Sequence, residues 1–417
     1  MQTLTHRQLF FQHVAQTSDF PLGLEIERAE GVYLFGPSHG GPSHGGPAHE
    51  RYIDLISGIG VSNVGHRHPR VLAAIHEQLD KYLHLMVYGE YVQSPQTQLA
   101  HALAETLAHT DPAAQLDNVY FTNSGTEAVE GAMKLAKRFT GRSEIISCFN
   151  AYHGSTQGAL SLSGDENFKR NYRPLLPDIR HLRYRNWADI EQISHRTAAV
   201  VMEVIGGEAG VRVPEPAYLQ AVRQRCTDTG ALLIVDEIQT GFGRTGTFWA
   251  FQDFGIVPDV VLCAKGMGGG MPIGAFISSA EVMSVFKNNP ILGHITTFGG
   301  HPVSAAASLA TLNVIRDERL HEQAEAKGQL FRQLLVHPAI REVRGKGLML
   351  AAEFDSFDVL KPIIDHAIAR GQTGLGVITD WFLFCNNSMR LAPPLVITEA
   401  EIRTACDIIL DAIDAVV

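Results

Sequence analysis

Short apolar runs alternate with longer amphipathic stretches from about residue 60 to 300. Val119-Tyr120-Phe121, Glu144 to Ser147, Ala198 to Met202, Ala231 to Val235 and Val260 to Cys263 read as strands, the last of them buried. Between the first two, Glu127 to Phe139 places Val129, Ala132, Met133, Leu135 and Ala136 on one helical face, and Gly141 follows as a stop. Tyr218 to Thr229 reads as another helix, closed by Gly230. Strands separated by helices predict a parallel α/β sheet covered on both faces. In such sheets, ligand sites gather at the carboxyl ends of the strands.

The pattern changes after residue 300. Pro302 to Glu318 and Glu322 to Leu335 read as long helices, Arg341 to Phe354 as strands around a glycine turn, and Glu399 to Val416 as a closing helix. Three parts are expected: an N-terminal segment (1–55) packing with the small domain, a large α/β domain (56–300), and a small C-terminal α+β domain (301–417). The N-terminal segment is too short to bury a core of its own.

One stretch fits neither pattern. GPSHGGPSHGGPAHE, from Gly36 to Glu50, repeats every five residues and carries His39, His44 and His49. Its Gly-Pro content predicts a flexible turn. The flanks VYLF and RYIDLI predict the two strands of a hairpin. An expanded hairpin loop is the expectation, with an adventitious metal site as the alternative.

Composition narrows the class. The chain has 417 residues, 45% hydrophobic and 19% charged, as in an ordinary soluble globular protein. Its net charge of −10, with no long run of one sign, argues against a nucleic-acid surface. No apolar run approaches the ~20 residues that span a bilayer. The start, MQTLTHRQLFFQHVAQ, lacks an apolar signal core, so a cytoplasmic location is expected. Cys148, Cys226, Cys263, Cys385 and Cys406 form no CxxC pair and read as free thiols, without a metal site.

The stretch VVLCAKGMGGGMPIGA raises a chemical question. Its apolar run ends in Lys265 and glycines. A lysine beside a core is costly unless it is paired, used or able to reach water. Four other stretches supply groups it could work with. FTNSGTEAVEG ends a strand and starts a helix, with Ser124 and Glu127 at capping-box spacing. Such a helix start suits a phosphate, although most such caps are purely structural. ALLIVDEIQTGFGRTG delivers Asp236 and Glu237 to a strand end. A carboxylate there needs a cation: a pyridinium nitrogen would serve, and a salt bridge to Arg244 is the plain alternative. FNAYHGST offers Tyr152 to the face of a ring, or to ordinary core packing. HITTFGGHP sets hydroxyls and glycines before a helix, again suited to phosphate. Pyridoxal phosphate needs each of these groups, with the lysine forming a Schiff base and then moving the α-proton.

At this point the chain resembles the class III pyridoxal-phosphate aminotransferases, the family of ornithine, acetylornithine and ω-amino acid aminotransferases. The resemblance runs through SGIGVSNVGHRHP, FTNSGTEAVEGAMKLA, YHGST, GGEAGVRVP, DEIQTGFGRTG, AKGMGGGMPIGA, TTFGGHPVSAAA, VRGKGLML and MRLAPPL. It implies a fold-type I architecture: a large, mostly parallel sheet domain, a smaller α+β domain, and a homodimer with sites at the interface. It also implies roles. Lys265 matches the Schiff-base lysine and Asp236 the partner of the pyridine nitrogen. Gln239 matches the residue near the ring hydroxyl. Ser124, Gly125 and Thr126 match the phosphate turn, and Thr297 the phosphate contact sent to the neighbouring active site. Tyr152 and Ile238 match side chains that sandwich the ring, and Glu203 a glutamate beside it.

The same resemblance bears on substrate. Arg390 falls where relatives place a carboxylate-binding arginine, and a guanidinium holds a carboxylate with two hydrogen bonds. Glu208 falls where ornithine-type members carry a glutamate that pairs with it. The pair resembles a switch: masked for a distal amine, open for an α-amino acid. Ser155 departs from the pattern. Acetylornithine, ornithine and 4-aminobutyrate members usually have an arginine there for the second carboxylate of 2-oxoglutarate, and serine is common in pyruvate users. ITDWFLFCNNS also departs: Trp381, Phe382 and Phe384 could narrow the substrate mouth or join the core. The expected reaction is ping-pong transfer of an ω-amino group to a 2-oxo acid. A pyruvate-dependent amine transaminase, a 1,2-aminomutase and a non-catalytic binding protein are the alternatives. The last is disfavoured because Lys265 and Asp236 are both present.

Overall fold

A computed structural model describes residues 4–37, 50–87, 89–108 and 115–417. The histidines at 39, 44 and 49 lie outside the described residues. The strands that flank their loop, Tyr33–Phe35 and Arg51–Asp54, pair antiparallel.

The central element is a seven-stranded sheet. Its order is Asn118–Thr122, Gly274–Ser278, Val260–Cys263, Leu232–Asp236, Thr197–Glu203, Glu144–Cys148 and Ile179–Leu182. Only Gly274–Ser278 runs against its neighbours. The alternation of side chains divides each strand between two cores. Val260 and Leu262 face one cluster, with Val201 and Ile234. Val261 and Cys263 face the other, with Val200 and Val235. Burying each aliphatic side chain of this kind contributes roughly 1.5–3 kcal/mol, which makes this sheet the rigid floor of the molecule.

The helix predicted over 127–139 spans Gly125–Thr140 and buries Val129, Ala132, Met133, Leu135 and Ala136. Gly141 closes it at φ 69°. Gly131 lets it approach the sheet: a Cβ there would lie 2.3 Å from Cε1 of Phe276.

Two smaller sheets complete the chain. Arg28–Glu30, Tyr33–Phe35 and Arg51–Asp54 join Leu375–Ile378, so the N-terminal strands pair with a C-terminal one. Glu342–Lys346, Met349–Glu353, Cys385–Leu391 and Trp381–Phe382 form an antiparallel sheet. Helix Phe357–Ala369 packs on Glu399–Val416, and helix Pro302–Asp317 lies against Pro69–Leu79 and Ser94–Leu107.

Candidate active site

The parallel strands converge on a cavity of about 510 Å³ at their carboxyl ends. Strand register makes the first feature. Glu203 and Asp236 are the last residues of adjacent strands and lie opposite each other. Burial, with Asp236 nearby, pushes the Glu203 carboxyl up to about 7. Its Oε1 accepts the Gly207 N–H at 3.0 Å. Asp236 has a histidine neighbour. Its Oδ2 lies 2.7 Å from Nδ1 of His153, and its Oδ1 accepts the Ile238 N–H at 3.0 Å. Burial disfavours charge on His153, but the bond to Asp236 prevails and raises its pKa.

Lys265 follows strand Val260–Cys263 in the left-handed region, at φ 43°. A non-glycine residue there is strained, and such strain gathers at functional sites. Burial lowers the Lys265 pKa, against the pull of Glu208 and Asp236. A lowered pKa favours the neutral amine, the form that attacks a carbonyl.

The opposite wall is the start of helix Gly125–Thr140. Ser124 caps it, accepting the Glu127 N–H at 3.3 Å. The first N–H groups of a helix have no acceptor within it, and Gly125 and Thr126 line the cavity, so this helix start suits an anion. The Thr126 hydroxyl lies 2.7 Å from that of Thr156. Tyr152, Ile238 and Gln239 also line the cavity. Tyr152 reaches Ser155, hydroxyl to hydroxyl, at 3.1 Å.

Arg390 lies behind Glu208. Its Nη1 and Nη2 donate to Oε1 and Oε2 of Glu208 at 3.0 and 3.1 Å, and both side chains are buried. Burial opposes the charge on Glu208, yet Arg390 outweighs it and holds that carboxyl below its usual range. Glu208 lines the cavity and Arg390 does not.

Thr297 is exposed and does not line the cavity of its own chain. The alternative pairing of Asp236 with Arg244 is not found. Arg244 donates to Asn63 Oδ1 at 2.5 Å and to the carbonyls of Leu348 and Pro393. Glu237 turns to the Thr240 hydroxyl and the N–H groups of Ala250 and Phe251. Phe382 is core, packed under Arg390, and none of Trp381, Phe382 and Phe384 lines the cavity. Sequence reading missed His153 and Asp380. Neither stands in a local motif that links it to its partner.

The donor set suits pyridoxal phosphate: a helix start for the phosphate, a buried carboxylate for the ring nitrogen, and an amine of lowered pKa for the aldehyde. The family model of class III aminotransferases matches residues 16–413. The chain belongs to the class III aminotransferases. It is a pyridoxal-phosphate-dependent transaminase with the fold-type I architecture. An acetylornithine aminotransferase of Methanopyrus kandleri is 40% identical over 367 residues, 87% of this chain and 90% of that protein. The ornithine aminotransferase of Toxoplasma gondii superposes with a TM-score of 0.87 at 30% identity, over 99% of this chain and 96% of that one. An amine transaminase from an uncultivated Pseudomonas species, in a PLP-bound form, gives 0.83 at 28% identity, over 97% of both chains. Among the described residues, no helix is long and apolar enough to cross a membrane.

Proposed function

We propose that this aminotransferase takes the ω-amino group of an ornithine- or acetylornithine-like substrate and delivers it to a 2-oxo acid in two half-reactions. The single observation that carries this reading is the bidentate pair Glu208–Arg390, in which Glu208 stands on the cavity wall with Arg390 behind it. With Arg390 covered, a substrate enters by its distal amine. With Glu208 withdrawn, Arg390 receives an α-carboxylate.

When bound, the cofactor supplies an aldehyde that takes up the amine and a ring that holds the electron pair left by a departing proton. The chain supplies the rest. The Gly125 and Thr126 N–H groups, with Ser124, would hold the phosphate. Asp236, backed by His153, would partner the ring nitrogen. Tyr152 and Ile238 would flank the ring, with Gln239 near its hydroxyl and Glu203 beside it. Lys265 Nζ would be the base that moves a proton at the substrate carbon bearing the amine.

A second reading concerns the acceptor. Ser155 stands on the cavity wall, and no arginine lines the cavity among the described residues. That favours pyruvate, with one carboxylate, over 2-oxoglutarate, with two.

Thr297 completes the phosphate seat of a second copy. Leu83, Met86, Tyr91, Val92, Ile291 and Phe298 are exposed, and an apolar surface of this kind suits a homodimer interface. Residues 56–300 serve as the cofactor-binding domain, 301–417 as the small domain, and 1–55 pack with the latter. Five unpaired cysteines fit a cytoplasmic location.

The test is a half-reaction spectrum. Ornithine, acetylornithine, lysine, 4-aminobutyrate or β-alanine is added singly to the holoenzyme without acceptor. Loss of the cofactor's visible absorption with one of them supports the reading, and recovery on adding pyruvate or 2-oxoglutarate identifies the acceptor. Turnover that needs no acceptor would mark an aminomutase instead.

A further inference from the structure

Arg390 has two carboxylate partners, and only one of them faces the cavity. Glu208 takes Nη1 and Nη2. Asp380 takes the remaining edge: its Oδ1 accepts from Nε at 2.7 Å. The backbone reinforces that side, since the Arg390 N–H donates to the Asp380 carbonyl at 2.9 Å. The Trp381 carbonyl accepts from Nη2 at 3.3 Å, and the Phe382 ring lies 4.4 Å beneath the guanidinium carbon. A third donor converges on the Glu208 carboxylate: the Leu383 N–H, 3.1 Å from Oε2.

Glu208 therefore occupies a mould made of Nη1, Nη2 and the Leu383 N–H. Removing it exposes these three donors to an incoming carboxylate of the same shape. The guanidinium cannot follow Glu208, because Asp380 and the Phe382 face hold it.

Resting on the reading of Arg390 given above, we propose that Asp380 is the positioning residue of the substrate-carboxylate seat. It fixes Nε so that Nη1 and Nη2 face the cavity whether or not Glu208 is in place. Its role is that of a hydrogen-bond acceptor on Nε, so an amide oxygen at the same position serves nearly as well.

The experiment compares the full-length wild type with Asp380→Ala, Asp380→Asn and Arg390→Ala. Each is loaded with pyridoxamine phosphate, so no donor need be known. The limiting half-reaction rate and the apparent Kd for pyruvate and for 2-oxoglutarate are measured in single turnovers. Propionate, an unreactive carboxylate, is titrated by calorimetry, and thermal melting is recorded. For Asp380→Ala, the apparent Kd for both acceptors and the propionate Kd rise about tenfold or more, while the limiting rate changes less than about twofold. For Asp380→Asn, both stay within about threefold of wild type, because the acceptor on Nε is kept. Arg390→Ala loses propionate binding. If Arg390→Ala still binds propionate like wild type, the seat itself is misassigned. If Arg390→Ala loses it but Asp380→Ala does not, the role of Asp380 is overturned alone. Equal damage from Asn and Ala also overturns it, since charge or folding would then matter rather than the acceptor.

Discussion

Nδ1 of His153 lies 2.7 Å from Oδ2 of Asp236, with both side chains buried at the end of the central sheet. Asp236 thereby has the His153 ring nitrogen on one oxygen and the Ile238 N–H on the other. A carboxylate held on both oxygens cannot rotate, as a partner for a ring nitrogen must not. His153→Ala removes one charge-assisted bond. Cofactor affinity, measured by absorbance titration, is expected to fall about tenfold to a hundredfold. An unchanged affinity would mean that Ile238 alone fixes Asp236.

Lys265 stands on the cavity wall with a lowered pKa. Lys265→Ala is expected to abolish turnover. The helix start at Gly125 and the Asp236 carboxylate still retain the cofactor, visible after gel filtration. Full activity in this variant would remove the lysine from the chemistry.

Ser155 touches the Tyr152 hydroxyl at the cavity wall. An arginine there offers two donors to a second carboxylate. Ser155→Arg is expected to raise kcat/KM for 2-oxoglutarate relative to pyruvate by about tenfold or more. A constant ratio would show that another position governs the acceptor.

Glu203 gives a pH signature. Burial raises its carboxyl from 4.5 to about 7. A raised folded-state pKa means that the folded protein binds the proton more tightly than the unfolded chain. The associated stability is complete below 4.5 and is lost as pH rises through about 7. Glu203→Gln is neutral throughout and keeps an acceptor for Gly207. Across that window the stability of wild type relative to Glu203→Gln should therefore fall with rising pH, by on the order of 3 kcal/mol. Denaturant unfolding at several pH values measures it, and a flat difference would contradict a buried, protonatable Glu203.

Much of the site was legible because its signals are local. Lys265 stood out as a cation at the end of an apolar run, followed by glycines. Asp236 ended another such run, and Ser124 announced a helix start. Other assignments needed more than spacing. The roles of Gln239, Glu203, Arg390 and Glu208 came from family resemblance, since nothing in their immediate neighbours points to a cofactor or a carboxylate.

His153 and Asp380 stayed hidden for a physical reason. His153 pairs with a residue 83 positions away, and no local pattern ties the two. Asp380 is only ten residues from Arg390, but its partnership depends on the bend between the strands Trp381–Phe382 and Cys385–Leu391. Strand Gly274–Ser278 was not read from the sequence, and its reversed direction is not local either: a strand's alternation is the same whichever way it runs.

Sequence alone determined where many of the strands and helices form and which side chains stand at their ends, because periodicity, caps and glycines act over a few residues. The tertiary structure decided which ends meet. It set Glu203 beside Asp236, His153 onto Asp236 and two carboxylates around Arg390. Strand order and register fix those distances, and they follow from packing the whole chain, which no short stretch of it encodes.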